Sequence, residues 1–304
     1  MSPSVLARFT GHTGAVYALA EGPRPGTFLS AGGDGHVVEW DLARPDTGQA
    51  LVNVGLPVYS LLYAGTDRQL LIGDANGNLH RVDLALRAEV QVLQVLQRGL
   101  YAQTLLPGGR LVCAAGDGRL ACFAHSPSLA VERQIPLCDA KLRGLAVNAE
   151  GTLLAVAAGD GTVRVLETTH LNELHTLQAH EGGALCAAFH PTKPVLVTGG
   201  KDGHLRIWST TEAFRPVLAI PAHKAAIYQL AFGPGGALLA TAGRDKHAKL
   251  WDAATLAPVA RLDRPAGGHQ HSVNALHWLG EVLLTAGDDR TIVAWNLGSD
   301  ATGT

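Results

Sequence analysis

The chain has 304 residues, of which 47% are hydrophobic and 16% charged, a composition that excludes a disordered protein and allows one large domain or two. The formal net charge of -2 argues against autonomous binding of nucleic acid or of an anionic membrane, because both need a surplus of basic residues. It leaves room for a local basic patch.

The N-terminal segment MSPSVLARF has no apolar h-region, and no apolar run approaches the length of a membrane-spanning helix. The four cysteines have no CxxC spacing, which favours free buried thiols in a reducing compartment. A hairpin would bring Cys113 and Cys122 face to face, and an oxidative disulfide between them is the less favoured alternative. These features predict a cytoplasmic protein that binds no membrane.

Short apolar stretches alternate with Gly, Asp, Asn and Pro along the whole chain, which indicates many short strands. A small-residue turn followed by an alternating strand recurs seven times, at intervals of 41 to 44 residues. The seven copies are SAGGDGHVVEW (30–40), IGDANGNLHRV (72–82), CAAGDGRLACF (113–123), VAAGDGTVRVL (156–166), TGGKDGHLRIW (198–208), TAGRDKHAKLW (241–251) and TAGDDRTIVAW (285–295).

Each copy belongs to a unit in which we predict four strands, named a to d. In the sixth unit these are AIYQLAF, ALLATAG, HAKLWD and APVARL, and Asp-Gly at the b–c turns of units 1, 3, 4 and 5 supplies the positive φ that a tight hairpin prefers. One unit alone exposes its faces, whereas seven units around an axis bury them, so the sequence predicts an all-β, seven-bladed β-propeller of four-stranded antiparallel blades. In this prediction residues 1–304 form a single domain, with blades at 10–54, 55–94, 95–136, 137–178, 179–221, 222–262 and 263–298 plus 4–9.

Both ends of the chain are predicted to contribute to the last blade. Only NLGSDATGT follows Trp295, so unit 7 has no strand d of its own, and VLARF (5–9) resembles the other d strands and fits the vacant position. Pairing of these two segments closes the ring and removes open sheet edges.

A Gly-His or Ala-His pair followed by Trp-Asp marks several units, as in Gly11-His12 with Trp40-Asp41 and Ala222-His223 with Trp251-Asp252. These motifs resemble the WD-repeat (WD40) family of β-propellers, and the resemblance covers all seven units. It implies a structural tetrad in four blades, while blades 2, 3 and 4 lack its His and Trp and are expected to rest on packing alone. The tetrads are His12, Ser30, Asp34 and Trp40; His180, Thr198, Asp202 and Trp208; His223, Thr241, Asp245 and Trp251; and His269, Thr285, Asp289 and Trp295.

Each tetrad contains a histidine, a hydroxyl and an aspartate, the residue types of a hydrolase triad. Because the set recurs in four blades and a catalytic site is needed only once, we interpret the tetrads as structural and predict that the chain is not an enzyme. His269 and His271 lie two residues apart, but no third ligand accompanies them, so neither a metal nor another cofactor is predicted. The alternative function is a small-ligand-binding or hydrolytic propeller that uses the central channel.

The resemblance also implies that partners dock at the top mouth of the central channel. In WD-repeat propellers, this mouth is lined by the residues on either side of the first apolar residue of strand a. The residue before the b–c turn Asp lies there as well. The residue after that apolar residue is Tyr17, Tyr59, Tyr101, Arg143, Cys186, Tyr228 and Asn274 in successive blades. The predicted partner-binding residues of the top face are Tyr17, Tyr59, Tyr101, Lys141, Arg143, Lys201, Tyr228, Arg244, Asn274 and Asp288.

Blades 1 to 3 present tyrosines at this face, and blades 4 to 6 add lysines and arginines. Tyrosine offers apolar area with one polar tip, while Arg and Lys hold carboxylates or phosphates. The sequence therefore predicts a monomeric scaffold that binds a protein or peptide, acidic or phosphorylated, on the top face. Packing between blades for the tyrosines, and a solvated surface for the cations, remain open as alternatives, and a nucleic-acid-associated adaptor is a third hypothesis.

Overall fold

The computed structural model describes residues 3–64, 68–86, 88–124 and 129–298. In these ranges the chain forms 28 β-strands and three one-turn 3₁₀ helices, at Pro107–Gly109, Pro234–Gly236 and Arg264–Ala266. None of the helices in the described ranges is long and apolar enough to cross a membrane.

The strands pair into seven four-stranded sheets, which confirms the predicted all-β, seven-bladed propeller. Six sheets, here called blades 1 to 6, contain consecutive strands from β2 onwards, and blade 7 has the order β1-β28-β27-β26. The strands are β1 (Ser4–Phe9), β2 (Val16–Glu21), β3 (Thr27–Gly32), β4 (His36–Asp41), β5 (Arg44–Asn53), β6 (Val58–Ala64), β7 (Gln69–Asp74), β8 (Asn78–Asp83), β9 (Ala88–Gln94), β10 (Leu100–Leu105), β11 (Leu111–Ala115), β12 (Arg119–Ala124), β13 (Ala130–Pro136), β14 (Leu142–Val147), β15 (Leu153–Ala158), β16 (Thr162–Glu167), β17 (Glu173–Gln178), β18 (Ala184–Phe189), β19 (Val195–Gly200), β20 (His204–Ser209), β21 (Arg215–Pro221), β22 (Ile227–Phe232), β23 (Leu238–Gly243), β24 (Ala248–Asp252), β25 (Pro258–Leu262), β26 (Val273–Leu279), β27 (Val282–Gly287) and β28 (Ile292–Asn296).

The predicted closure of blade 7 by the N-terminal segment is confirmed. Strand β1 pairs antiparallel with β28, with Val5 opposite Trp295 and Phe9 opposite Ile292. The Arg8 guanidinium donates to the Thr291 hydroxyl at 3.1 Å and to the Gly267 carbonyl, which ties the strand to the neighbouring loops.

The b–c turns show the predicted positive φ, which Asp-Gly sequences favour because glycine has no Cβ. Gly35 has φ 74° and Gly161 has φ 97°. Blades 6 and 7 reach the same backbone region without glycine, at Lys246 (φ 74°) and Arg290 (φ 65°), so the turn geometry is retained where the sequence signal is absent.

Contacts between Cα atoms divide the described residues into two compact units. Unit 1 lies within residues 1–72, 81–90 and 228–304, and unit 2 comprises residues 73–80 and 91–227. The core of unit 1 includes Phe9, which is fully buried and packs edge-on against Phe28 at 4.9 Å and against Trp40 at 5.6 Å between ring centroids. Phe28 belongs to β3, in which all six residues are buried, so both faces of this strand are packed.

The core of unit 2 includes a cluster of small and medium aliphatic residues from blades 3 and 4, such as Val156 and Leu166, and a second cluster from blades 4 and 5 that contains Trp208 and Phe214. Cys113 and Cys122 belong to this unit but do not face each other, because Cys113 lies opposite Ala121 and Cys122 opposite Val112. Successive residues of a strand point to opposite faces, so the two thiols point away from each other and the face-to-face prediction was wrong. All four cysteines are free.

Candidate functional site

The first strand of several blades contains a β-bulge immediately after its first residue. In blade 1, Val16 pairs with Gly32 and Ala18 with Ala31, which leaves Tyr17 without a cross-strand partner. A bulge bends the strand and redirects the extra side chain, and bulges are frequent beside functional sites. The same unpaired position is occupied by Tyr101, Arg143 and Asn274 in blades 3, 4 and 7.

In blade 5 the unpaired position belongs to Leu185, because Ala184 pairs with Gly200 and Cys186 with Gly199. The sequence prediction placed Cys186 there and was wrong by one residue, since it took Leu185 as the first apolar residue of the strand. Cys186 is buried, and burial raises the pKa of its thiol well above the usual range. It therefore contributes to the core and not to the surface.

Three of the predicted partner-binding residues meet in unit 2 and form what we call the cationic patch: Tyr101, Lys141 and Arg143. The guanidinium carbon of Arg143 lies 4.2 Å from the centroid of the Tyr101 ring, a close cation–π contact. The Lys141 Nζ lies 5.5 Å from the same centroid and donates to the Tyr101 hydroxyl at 3.3 Å. Tyr101, which the sequence grouped with the other tyrosines, is thus a platform for two cations.

Four others meet in unit 1 and form what we call the tyrosine patch: Tyr17, Tyr59, Asn274 and Asp288. The two rings pack edge-to-face with centroids 5.7 Å apart. The Asn274 amide donates to the Asp288 carboxylate at 2.7 Å and to the Val16 carbonyl at 3.1 Å. Burial, with the charge of Asp288 and the neighbouring Tyr59, raises the pKa of Tyr17, so its phenol stays protonated.

The other three predicted residues, Lys201, Tyr228 and Arg244, join neither patch. Within the described part of the chain, no hydrogen bond, ion pair or ring contact connects them to the seven residues above. Lys201 and Arg244 are exposed and Tyr228 is half-buried. Their role in partner binding stays a prediction.

The tetrads form continuous hydrogen-bond chains inside the blades. In blade 1, the Trp40 indole donates to the Ser30 hydroxyl at 2.7 Å, and that hydroxyl lies 2.7 Å from the His12 Nε2. The His12 Nδ1 lies 2.9 Å from the Asp34 carboxylate. Because the carboxylate only accepts, Nδ1 carries the proton and Nε2 accepts from the hydroxyl.

Blades 5 and 7 repeat this arrangement, with indole-to-hydroxyl distances of 3.1 Å at Trp208 and 3.0 Å at Trp295. In blade 6 the Trp251 indole donates to the Thr241 hydroxyl at 2.9 Å. Burial alone would raise the pKa of Asp289, but the hydrogen bond and charge of His269 outweigh it and lower that pKa well below its usual range. All four hydroxyls are fully buried, and those of Ser30, Thr198 and Thr285 are bonded on both sides, which is a structural arrangement and leaves no access for a substrate.

Blade 2 has a buried polar network of its own, so the expectation that it rests on packing alone was wrong. Asp74 is fully buried and accepts from the Asn78 amide at 2.6 Å, and lies 3.2 Å from the His80 Nε2. Backbone N–H groups of Asn76 and Asn78 also donate to it. Burial alone would raise the pKa of Asp74, but these hydrogen bonds outweigh it and lower the pKa. In blade 2 the turn position of the tetrad Asp is occupied by Asn76. The signal missed in the sequence is Asp74, two residues before it.

Sequence reasoning also missed a polar cavity in unit 2. Its volume is about 370 Å³, and it lies where the b–c turn of blade 3 meets the loops that precede blades 3 and 4. We call it the blade-3 cavity. Its polar lining residues are Gln97, Arg98, Asp117, Arg119, Gln134 and Asp139.

The described residues contain no group of three or more His, Cys, Asp or Glu side chains placed to hold a metal ion. His269, which the sequence paired with His271, is instead bonded to Thr285 and Asp289 through its two ring nitrogens. Neither ring nitrogen of His269 is free to bind a metal.

A family model described as WD domain, G-beta repeat, matches four segments of the chain, which together cover slightly more than half of it. The matched segments, 3–41, 171–209, 214–252 and 260–296, contain most of blades 1, 5, 6 and 7, the blades that carry the tetrads. The model therefore matches where the hydrogen-bonded tetrads are retained.

Several curated proteins are similar to this chain over part of their length. Telomerase protein component 1 of Rattus norvegicus is 28% identical over 225 residues, which is 70% of this chain and 8% of that protein. Serine-threonine kinase receptor-associated protein of Gallus gallus is 29% identical over 186 residues, 60% of this chain and 52% of that protein. Ribosome biogenesis protein ERB1 of Malassezia globosa is 30% identical over 141 residues, 42% of this chain and 16% of that protein.

The chain thus spans between 8% and 52% of the length of these relatives. The seven four-stranded sheets, the tetrads and the extent of the family match lead to one assignment. The chain belongs to the WD-repeat family of β-propellers.

Proposed function

We propose that the chain is a non-enzymatic protein-interaction module that binds an acidic or phosphorylated segment of a partner through the cationic patch. The observation that carries this proposal is the stacking of Arg143 on Tyr101 at 4.2 Å, with no ion-pair partner for Arg143 among the described residues. The contact holds the guanidinium at the face of the Tyr101 ring, and no N–H group of Arg143's guanidinium has a hydrogen-bond partner among the described residues. A carboxylate or a phosphate is the group that this planar fork binds best.

Lys141 adds further donors beside Arg143. Its ammonium has three N–H groups, and the contact with the Tyr101 hydroxyl uses one of them. Lys141 is exposed, while Tyr101 and Arg143 are half-buried. A partner that covers the patch would exclude water from the ring face, and cation–π contacts strengthen on desolvation.

The tyrosine patch of unit 1, considered by itself, is a second candidate contact. Two edge-to-face rings present apolar area at low cost in side-chain entropy, which suits an apolar or aromatic anchor of a partner. Asp288 beside the rings disfavours an acidic group at this position. We therefore assign the acidic or phosphorylated segment to the cationic patch only.

Proteins of this family generally bind other proteins, and the relatives include a telomerase protein component and a ribosome biogenesis protein. We further propose that the chain acts in the cytoplasm and is monomeric in isolation. Its four unbridged thiols support a reducing compartment. Light scattering during size-exclusion chromatography tests the monomeric state.

The test of the proposed function is an affinity pull-down from the native source with quantitative mass spectrometry. We expect a partner that wild type retains and the Lys141→Glu/Arg143→Glu variant loses. The matched control is Arg133→Glu/Arg215→Glu, which makes the same charge change on the outer strands β13 and β21 of the same unit. Phosphatase treatment of the extract separates a phosphorylated partner, lost on treatment, from an acidic one, retained. If the Lys141→Glu/Arg143→Glu variant and the control variant both recover every partner as wild type does, the proposal is wrong.

A further inference from the structure

The blade-3 cavity lies beside Asp117, the residue at the turn position that forms a histidine–aspartate pair in the tetrad blades. In blade 1 the Asp34 carboxylate meets the His12 ring and also accepts from the Thr13 backbone N–H at 2.8 Å. In blade 3, Asp117 retains the equivalent backbone contact, from Gln97 N–H at 3.2 Å, while the histidine position holds Leu96, which is 1% exposed. Leucine fills the core but offers no donor, so the carboxylate faces the cavity instead.

The unused hydrogen-bonding capacity of the cavity lies mostly with its donors. Asp117 accepts two backbone N–H groups, from Gln97 and from Arg119, both at 3.2 Å. The guanidinium groups of Arg98 and Arg119 have no hydrogen-bond or ion-pair partner among the described residues, and neither does the carboxylate of Asp139. The lining therefore has two guanidinium groups and two carboxylates, and the side chains of Arg98, Arg119 and Asp139 are exposed at the mouth of the cavity. The two unpaired guanidinium groups are the groups that can bind an anionic ligand there.

The cavity adjoins the cationic patch through one turn. A Cβ placed on Gly116 would lie 2.0 Å from the Arg98 carbonyl oxygen and 3.0 Å from the Cε2 of Tyr101. The residue that precedes Asp117 therefore touches both the cavity wall and the patch ring. A single extended peptide that binds the cationic patch can place a neighbouring side chain in the cavity.

The free carboxylate of Asp139 narrows the chemistry of the ligand. A bare anion would be repelled by it, whereas an acidic residue within a peptide also brings backbone N–H groups, which donate to Asp139 and to the side-chain oxygen of Gln134. A cavity of about 370 Å³ is large enough for a side chain with its flanking peptide groups.

We propose that the blade-3 cavity binds an acidic residue of a partner peptide, with its carboxylate or phosphoryl group held by Arg98 and Arg119 and its backbone N–H groups facing Asp139. This inference rests on the proposed function, because it assigns a second, specific contact to the same partner segment. It adds a site that none of the residues predicted from the sequence belongs to.

Arg98 has φ 63°, in the left-handed region that a side chain rarely adopts and glycine adopts freely. Arg98→Gly therefore removes the guanidinium while relieving the backbone. This variant separates loss of binding from loss of folding.

The experiment is a titration of the full chain, followed through the arginine Nε–H signals in nuclear magnetic resonance spectra. The probes are N-acetyl-glutamate N-methylamide, N-acetyl-phosphoserine N-methylamide, N-acetyl-lysine N-methylamide and inorganic phosphate. The first two probes separate a carboxylate from a phosphoryl group, and the lysine probe reports any preference for cations. The variants are Arg98→Gly and Arg119→Gln, which also assign the signals.

Arg133→Gln serves as the matched control, because Arg133 lies on β13 of the same blade and donates to the His170 carbonyl at 2.7 Å, outside the cavity. We expect saturable shifts of the Arg98 and Arg119 signals with at least one acidic probe. Each cavity variant should weaken that binding about tenfold or more, the loss typical of one charge-assisted hydrogen bond. The control should bind as wild type does.

Asp139→Asn gives an outcome of opposite sign. It should strengthen the binding of inorganic phosphate, because it removes the negative charge that repels a bare anion. It should weaken the binding of the capped acidic residues, because an amide oxygen accepts their backbone N–H groups less strongly than the Asp139 carboxylate does. Stronger binding of the lysine probe than of both acidic probes, or no saturable shift of either arginine up to tens of millimolar, overturns the inference.

Failure here is distinguishable from failure of the proposed function. If Lys141→Glu/Arg143→Glu loses a partner and the cavity arginines show no probe binding, only the cavity assignment is wrong. If the cavity binds the acidic probes and no partner depends on the cationic patch, the proposed function is wrong and the cavity is an independent anion site.

Discussion

At the scale of single residues, the buried hydroxyl is the centre of each tetrad. Thr285 accepts from the Trp295 indole at 3.0 Å and lies 2.8 Å from the Nε2 of His269, so one small side chain pairs two larger ones. With the hydroxyl removed, both the indole N–H and the imidazole nitrogen are left buried without a partner. Unpaired buried polar groups are more costly than the mean worth of a hydrogen bond.

We therefore expect Thr285→Val to lower the free energy of unfolding by about 2 to 4 kcal/mol, since it leaves two buried groups unsatisfied in a residue of nearly the same volume. Thr10→Val is the control, because Thr10 is exposed. Urea denaturation followed by circular dichroism measures both. A change at Thr285 no larger than the change at Thr10 would show that the tetrad contributes nothing to stability.

The tetrad residues could be named from the sequence because its motifs resemble those of the WD-repeat family, and that resemblance implies the tetrads. The position of Leu185 could not be predicted, because a β-bulge shifts the register by one residue and leaves no mark in the sequence. The pairing of Tyr101 with Arg143 was also hidden, since cation–π stacking depends on side-chain direction across two blades and not on repeat position.

At the scale of elements, strand β1 determines whether blade 7 is complete. Its residue Phe9 is fully buried in the cluster with Phe28 and Trp40, whereas Leu6 on the same strand is 51% exposed. The strand was predictable because its resemblance to the other d strands and the missing strand d of unit 7 pointed to the same segment. The irregularity between Val5 and Ala7 was not predictable, because it follows from pairing with β28.

Phe9→Ala should cost about 3 to 5 kcal/mol of unfolding free energy, the range for removal of a buried ring. Leu6→Ala, on the exposed face of the same strand, should change stability by less than about 1 kcal/mol. Guanidinium titrations of the two variants and wild type make the comparison. Equal effects would mean that β1 adds main-chain pairing only and no core.

The blade-3 cavity lay beyond sequence reasoning for a different reason. Four of its polar residues come from separate segments, and the sequence gives no sign that they meet: Gln97 and Asp139 lie on the connections before and after blade 3, Asp117 on its b–c turn and Gln134 on strand β13. What the sequence did contain was the Leu at position 96 in a unit that keeps its turn aspartate. A turn aspartate without the histidine that pairs with it in the other blades is the sequence signal for this cavity.

At the scale of the whole molecule, the sequence predicts one domain, and the chain passes from one compact unit to the other inside strands β7, β8, β9 and β22. Strands shared in this way should tie the unfolding of the units together. Trp208 reports on unit 2, and the tryptophans at 40, 251, 278 and 295 report on unit 1.

We expect all five indole signals of protein labelled with 5-fluorotryptophan to lose native intensity at the same urea concentration in fluorine spectra. A Trp208→Phe variant assigns the reporter of unit 2. A Trp208 signal that disappears at a clearly lower or higher urea concentration than the other four would establish two independently unfolding domains instead.

The replacement of a histidine by Leu96 has a consequence for how this protein can diverge. In a tetrad blade, replacing one polar member leaves the others buried without a hydrogen-bond partner. The residues of its turn and of its loops therefore depend on one another. Blade 3 lacks this dependence, because the apolar Leu96 takes the histidine position in the core and Asp117 faces the cavity. Single substitutions around Asp117 can therefore change what this surface binds without leaving a buried polar group unpaired.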